Sequence, residues 1–303
     1  MNTSKTEPEN PEDIVPHQSD EARATSPARA SRARSSAEEA EKSADRVEEL
    51  RPLSSDEMFE VVRLNGVEEL RRPTVSLAFS GLAAGLAIGF SVIAEAAVVG
   101  RLDSDAGWAS LVGDMGYTVG FIIVVLGRLQ LFTENTITPV LPICHAPTRA
   151  NFLALARNWS VVLTANIVGV TVFAAFLMWL PSIPHEMREA VVDLGRHSVD
   201  GGFFVTMTKG VGAGFLVAAL VWVNANSRGA SLAAVFVITY VIALCEFSHV
   251  IAGTMEIAAL VMVDNITVPG AIFGFFLPAL IGNVIGGTVL FAFISYGQVY
   301  QEI

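Results

Sequence analysis

The chain has 303 residues, of which 52% are hydrophobic and 16% charged, with a formal net charge of −11. That balance excludes a basic nucleic-acid surface, and two cysteines, Cys144 and Cys245, give no disulfide framework and read as small buried hydrophobes. Residues 1–72 hold 28 of the 49 charged side chains, so a solvated tail precedes a lipid-soluble body.

Residues 1–53 are rich in Ser, Ala, Pro and charge without hydrophobic periodicity, and the expectation is a disordered cytoplasmic tail. Met1 begins a polar, acidic stretch, so no signal peptide is expected. Ser54 and Glu57 form a capping-box pattern that opens a helix over 54–72, with Met58, Val61, Val62 and Leu70 at roughly helical spacing. The pattern fits an amphipathic helix on the membrane surface or a solvated linker helix, ended by Arg72-Pro73.

Six apolar spans follow, at about 74–99, 111–144, 152–180, 202–225, 229–263 and 268–296, before a short tail over 298–303. Each is near or above the ~20 residues that cross a bilayer. The second and fifth are too long and too polar in the middle for plain helices. Span two carries Arg128, Gln130, Thr133, Glu134, Asn135 and Pro139; span five carries Glu246, Ser248, His249 and Glu256. Irregular backbone at that depth must face protein or a water-filled cavity. The predicted fold is therefore an all-α membrane protein with broken helices 2 and 5.

The two halves repeat. Leu163-Thr164-Ala165-Asn166-Ile167-Val168-Gly169 in span three matches Leu280-Ile281-Gly282-Asn283-Val284-Ile285-Gly286 in span six. Spans one and four carry glycines four apart: Gly81, Gly85 and Gly89, then Gly210 and Gly214. Three spans per half is an odd number, so the halves run in opposite directions, a 3+3 inverted repeat of the transporter and channel kind. With both termini cytoplasmic, Arg71, Arg72, Arg149, Arg157 and Arg228 lie inside, against Arg101, Arg188 and Arg196 outside, the last three diluted by acids including Asp103 and Asp105.

His249 lies near the middle of span five, and a titratable group at membrane depth marks a functional site unless it is a core histidine satisfied by a neighbouring hydroxyl. Thr133, in the matching interruption, supplies such a hydroxyl if the two breaks face each other. Glu134 is either neutralised by Arg128 or caps the half-helix that follows. Lys209 and Glu95 fall at corresponding ends of spans four and one; Lys209 either draws anions to a mouth or snorkels. Asn166 and Asn283 read as pore ligands or as interhelical amides. Glu246-x-x-His249 has the spacing of a helical metal pair, but no second copy exists, so no metal or cofactor and no enzyme is expected.

Together these residues resemble the formate/nitrite transporter family over essentially the whole of 73–297. Leu131-Phe132-Thr133-Glu134-Asn135-Thr136 is similar to its Leu-Phe-Thr-Ser-Asn/Ser-Thr loop, and His249-Val250-Ile251-Ala252 to its His-Ser-Ile-Ala segment. Asn158-Trp159 leading to Asn166, and Asn283-Val284-Ile285-Gly286-Gly287, resemble its third- and sixth-helix signatures. The resemblance implies an aquaporin-like protomer in a homopentamer in the bacterial inner membrane, with one path per protomer for a small anion such as formate or nitrite, moved as the neutral acid. It implies a central gate at His249 held by Thr133, between constrictions that include Tyr117, Phe121, Leu131 and Ile242. The chain departs from the family at Ser248, where a Glu is usual, at Gly253 and Gly214, where Asn is usual, and near Ser198, where a lysine is expected; Glu134 is an added carboxylate. Ser248 thus joins the pathway set, and Glu134, Arg128, Lys209 and Glu246 the groups that tune its charge. The alternatives are a pore for a small neutral or weakly basic solute, and a non-conducting scaffold whose tail recruits a partner.

Overall fold

The structure is a computed structural model that describes residues 27–102, 108–226 and 229–302. Residues 1–26 of the tail, with Asp103, Asp105 and Arg228, lie outside the described residues. The chain divides into two units, 1–52 and 53–303.

The first unit corrects the expectation of a disordered tail over part of its length, because Pro27–Leu50 forms a helix, α1. Its composition explains this: Ala, Glu and Arg dominate, Pro27 occupies the first turn, and no Gly or further Pro interrupts it.

The second unit, among its described residues, is entirely helical: α2 (Ser55–Arg71), α3 (Thr74–Val99), α4 (Ala109–Leu126), α5 (Leu141–His145), α6 (Arg149–Trp179), α7 (His185–Val199), α8 (Gly202–Ala225), α9 (Ser231–Leu244), α10 (Val250–Met262) and α11 (Val268–Val299). Helix α11 is wound as π-helix over Ile272–Phe276 and Ile285–Ala292. Helices α3, α4, α6, α8 and α11 are long and apolar enough to cross a membrane, while α9 and α10 are shorter apolar helices. Large apolar side chains such as Phe79, Phe152, Trp179, Phe204, Phe273 and Ile294 face outward, as lipid contact requires.

Helix α2 starts as the capping pattern predicts: the Ser54 N–H donates to Glu57 Oε2 at 2.7 Å. Its end is capped by Arg157, whose guanidinium donates to the Leu70 and Arg72 carbonyls at 2.7 and 3.1 Å. It is not a solvated linker. Phe59, Val62, Gly66 and Leu70 are buried, and Phe59 and Val62 share a core with Ile137, Leu141, Ala218 and Val299. Helix α7 lies in a stretch read from sequence as a loop. Ala190, Val191 and Gly195 form its buried face, against α3 and α10.

The repeat is visible in the packing. Helix α3 packs on α4 and α6, as α8 packs on α9 and α11. The glycines permit this closeness: a Cβ on Gly85 would lie 2.4 Å from the Asn166 carbonyl oxygen, and one on Gly214 would lie 2.2 Å from that of Asn283. Cys245 is exposed at the end of α9, contrary to the expectation of a buried side chain, while Cys144 is half-buried.

Candidate functional site

Both interruptions use one backbone solution. Helix α4 ends with the Leu129 N–H donating to the Val124 carbonyl at 3.0 Å and the Arg128 N–H to Val125 at 3.2 Å. Helix α9 ends with Phe247 donating to Ile242 at 2.9 Å and Glu246 to Ala243 at 2.7 Å. Arg128 and Glu246 each sit at φ 51°, the left-handed residue of a Schellman motif, although neither is glycine.

The extended backbone beyond each turn is then held by the repeated asparagine. Asn166 Nδ2 donates to the Gly81 and Gln130 carbonyls at 2.7 and 2.9 Å, and its Oδ1 accepts from Phe132 N–H at 2.9 Å. Asn283 Nδ2 donates to the Gly210 and Ser248 carbonyls at 2.9 and 2.8 Å, and its Oδ1 accepts from Val250 N–H at 2.9 Å. Both amide hydrogens are spent on backbone in each case. Of the two roles left open for these residues, the geometry selects the interhelical one.

His249 is the N-cap of α10 and is 2% exposed. Its Nδ1 accepts from the Ala252 N–H at 3.2 Å, and its Nε2 lies 2.7 Å from Thr133 Oγ1. Because Nδ1 is an acceptor, a neutral ring carries its hydrogen on Nε2 and donates it to the threonine. Phe121 meets the imidazole edge-on at 4.9 Å between centroids, and Tyr117 follows Phe121 at 5.2 Å. Leu131 and Ile242 are fully buried in the same core. Tyr117, Ile242, Ser248 and His249 border a cavity of about 500 Å³ that is also lined from α3, α7, α8 and α11, so the imidazole forms part of its wall.

The charged groups are arranged otherwise than expected. Arg128 is exposed and forms no ion pair with Glu134, whose Oε1 has no hydrogen-bond partner, and the Glu134 side chain caps no helix. The turn fixes Arg128 in the left-handed region and sends its side chain away from the loop interior. Glu134 is buried near Glu69 of α2, which also has an unpartnered carboxyl oxygen. Burial pushes the Glu69 carboxyl from its ordinary 4.5 up to about 7, against a weaker opposing contact from Gln130 Nε2 at 3.4 Å. Around these carboxylates Asn135 Nδ2 donates to Gln130 Oε1 and Asn158 Oδ1, both at 3.0 Å. Glu69 Oε2, Glu134 Oε1, Arg157 Nε and Asn158 Nδ2 are the four buried side-chain atoms without partners among the described residues.

Lys209 neither snorkels nor stands alone: its Nζ donates to Glu246 Oε2 at 2.9 Å, within the cavity wall. Ser198, where the resemblance leads one to expect lysine, donates to Glu256 Oε2 at 2.5 Å. Gly253 is packed by a ring, since a Cβ there would fall 2.0 Å from Phe275 Cζ. Gly214 has no room for any side chain. Asp114 was not singled out by the sequence, nor was the pairing of Glu256 with Ser198, yet both acids line the cavity with Glu95. The signal was there: Asp114 precedes Tyr117 by one turn, and Glu256 follows His249 by two, so each shares a helix face with a residue that the sequence had singled out. Among the described residues no group of three His, Cys, Asp or Glu side chains is placed to hold a metal ion.

The fold has counterparts among known proteins. The sequence pattern of the family described as "Formate/nitrite transporter" matches residues 56–297. "Inner membrane protein YfdC" of Escherichia coli (strain K12) is 35% identical over 246 residues, 81% of this chain and 79% of its own. "Formate channel FocA" of the same organism is 25% identical over 269 residues, 80% of this chain and 93% of its own. A solved structure titled "Pentameric formate channel with formate bound" shares the fold at a TM-score of 0.65 and 20% identity, covering 75% of this chain and 98% of that one. The match runs from α2 through α11 and takes in both interrupted segments, so this chain belongs to the formate/nitrite transporter family, a family of membrane transporters and channels rather than enzymes.

Proposed function

We propose that the chain forms a homopentamer in a bacterial inner membrane, each protomer carrying a small monovalent anion of the formate or nitrite kind as its neutral acid. In this reading α9 and α10 together make the fifth of six spans, α4 with α5 makes the second, and the two triplets cross in opposite senses. Both termini are cytoplasmic, α2 lies at the inner membrane surface, and the cavity beside α7 opens outward. The observation that carries the reading is His249, buried at the cavity wall and fixed by Thr133 2.7 Å away from the other half.

The physics fits a neutral permeant. Phe121, Leu131 and Ile242 are buried apolar groups around a single imidazole. A bare charge in such a low-dielectric slit is costly, whereas a protonated acid is not. Reconstituted in liposomes, the protein admits formate, and His249→Phe abolishes that flux while the variant still elutes as the wild-type oligomer. Unchanged flux in the variant removes the imidazole from the pathway.

A further inference from the structure

The cavity beside α7 is built for the opposite charge from the one its family's name suggests. Glu95, Asp114, Glu246 and Glu256 line it, against one ammonium, Lys209, and the imidazoles of His197 and His249. Lys209 is already held by Glu246. The His197 ring is engaged with the Asp193 carbonyl at 2.9 Å. The one lysine is therefore spent on a carboxylate, and Asp114 and Glu95 border the space without an ion-pair partner among the described residues.

A second set of observations points to a ligand rather than to a chance cluster. Glu95 is 9% exposed, borders the cavity and has no hydrogen-bond partner among the described residues. The same holds for the Tyr117 hydroxyl at 6% exposed and the Thr206 hydroxyl at 2%. A carboxyl and two hydroxyls from α3, α4 and α8 thus border one space without an internal partner. Phe247 and Phe275 line the same wall. Several acceptors, uncompensated carboxylates and aromatic rings are what a protonated amine needs, with its N–H donors and its attraction to π faces. A divalent metal is a poorer fit, because the acids are not grouped to ligate one.

We propose that this cavity is a binding site for a small protonated amine, of the ammonium or primary alkylammonium class, held by Glu95 with Tyr117 and Thr206. The site goes beyond the acid pathway, and rests on it only in that the cavity is the mouth of the same slit. A bound cation there places its N–H groups in front of His249.

The test uses the full-length protein in detergent and in liposomes, with methylammonium chloride as the probe and sodium chloride as the ionic-strength control. Calorimetric titration gives saturable methylammonium binding that Glu95→Gln weakens by about tenfold or more, as the loss of a charge-assisted partner dictates. Tyr117→Phe weakens it less, and Glu189→Gln, on the exposed face of α7, leaves it unchanged. In unmutated protein, methylammonium protects Glu95 from carbodiimide labelling, read by peptide mass, so the result does not depend on a variant folding. Absence of saturable binding, binding indifferent to Glu95→Gln, or labelling indifferent to methylammonium overturns the site. Formate flux measured in the same liposomes separates the two ideas. Flux without methylammonium binding sinks the amine site alone, and binding without flux sinks the acid pathway alone.

Discussion

The two interruptions share a backbone and differ in their chemistry. In both, a helix ends in a Schellman motif with a non-glycine left-handed residue, and an asparagine from the last long helix of that half fastens the extended segment with two hydrogen bonds and the half's first long helix with a third. The side chains then part company. The second break places an imidazole at a helix N-cap and ties its acid, Glu246, to Lys209. The first break contributes a threonine to that imidazole and leaves its own acid, Glu134, facing Glu69 with an oxygen unpartnered. A duplicated scaffold has kept what holds the chain in place and let the solvated chemistry on its two sides drift apart.

The sharpest way to break this comparison is at the asparagines. Asn166→Ala and Asn283→Ala each strand one carbonyl and one N–H of the extended segment away from water, and each is expected to cost about 3 kcal/mol of stability. Thermal unfolding in detergent checks it, and a large loss for one variant with none for the other ends the claim of equivalent roles. Next come the close approaches. Gly85→Ala and Gly214→Ala force a methyl against a carbonyl, and each is expected to destabilise by about 2 kcal/mol, again equally in the two halves.

The smallest effect sharpens the difference instead. The Glu69 carboxyl binds its proton more tightly folded than unfolded, so the fold is favoured below its ordinary 4.5 and loses that advantage as pH rises towards about 7. Glu69→Gln mimics the protonated form. The unfolding free energy of the variant is therefore expected to match wild type at pH 4 and exceed it at pH 8.5, by about 1 kcal/mol once the residue's partial exposure is allowed for. A flat difference across that range removes Glu69 as the titrating group.

Much of this was legible in the sequence because membrane depth makes polar residues expensive and therefore informative. The repeated Asn phrase, the glycine spacing, the Ser54 cap and the Thr133–His249 contact all announced themselves as polar or small residues inside apolar runs. What stayed hidden was governed by geometry that no spacing records. Arg128 and Glu134 are six residues apart and look like partners, yet the left-handed turn between helix and loop separates them. Helix α7 carries so many charges that only Met187, Ala190, Val191 and Leu194, at helical intervals, betray its buried face. Helix α1 shows the reverse error: polar composition was read as lack of structure, although its residues are good helix formers.

The fastening of His249 has one further implication. An imidazole whose Nδ1 lone pair is taken by Ala252 N–H and whose Nε2 hydrogen is given to Thr133 has no vacant basic position. To accept a proton it must first tear loose from the start of α10. On the function proposed above, the ring is then a fixed polar group, and the proton travels with the permeant acid.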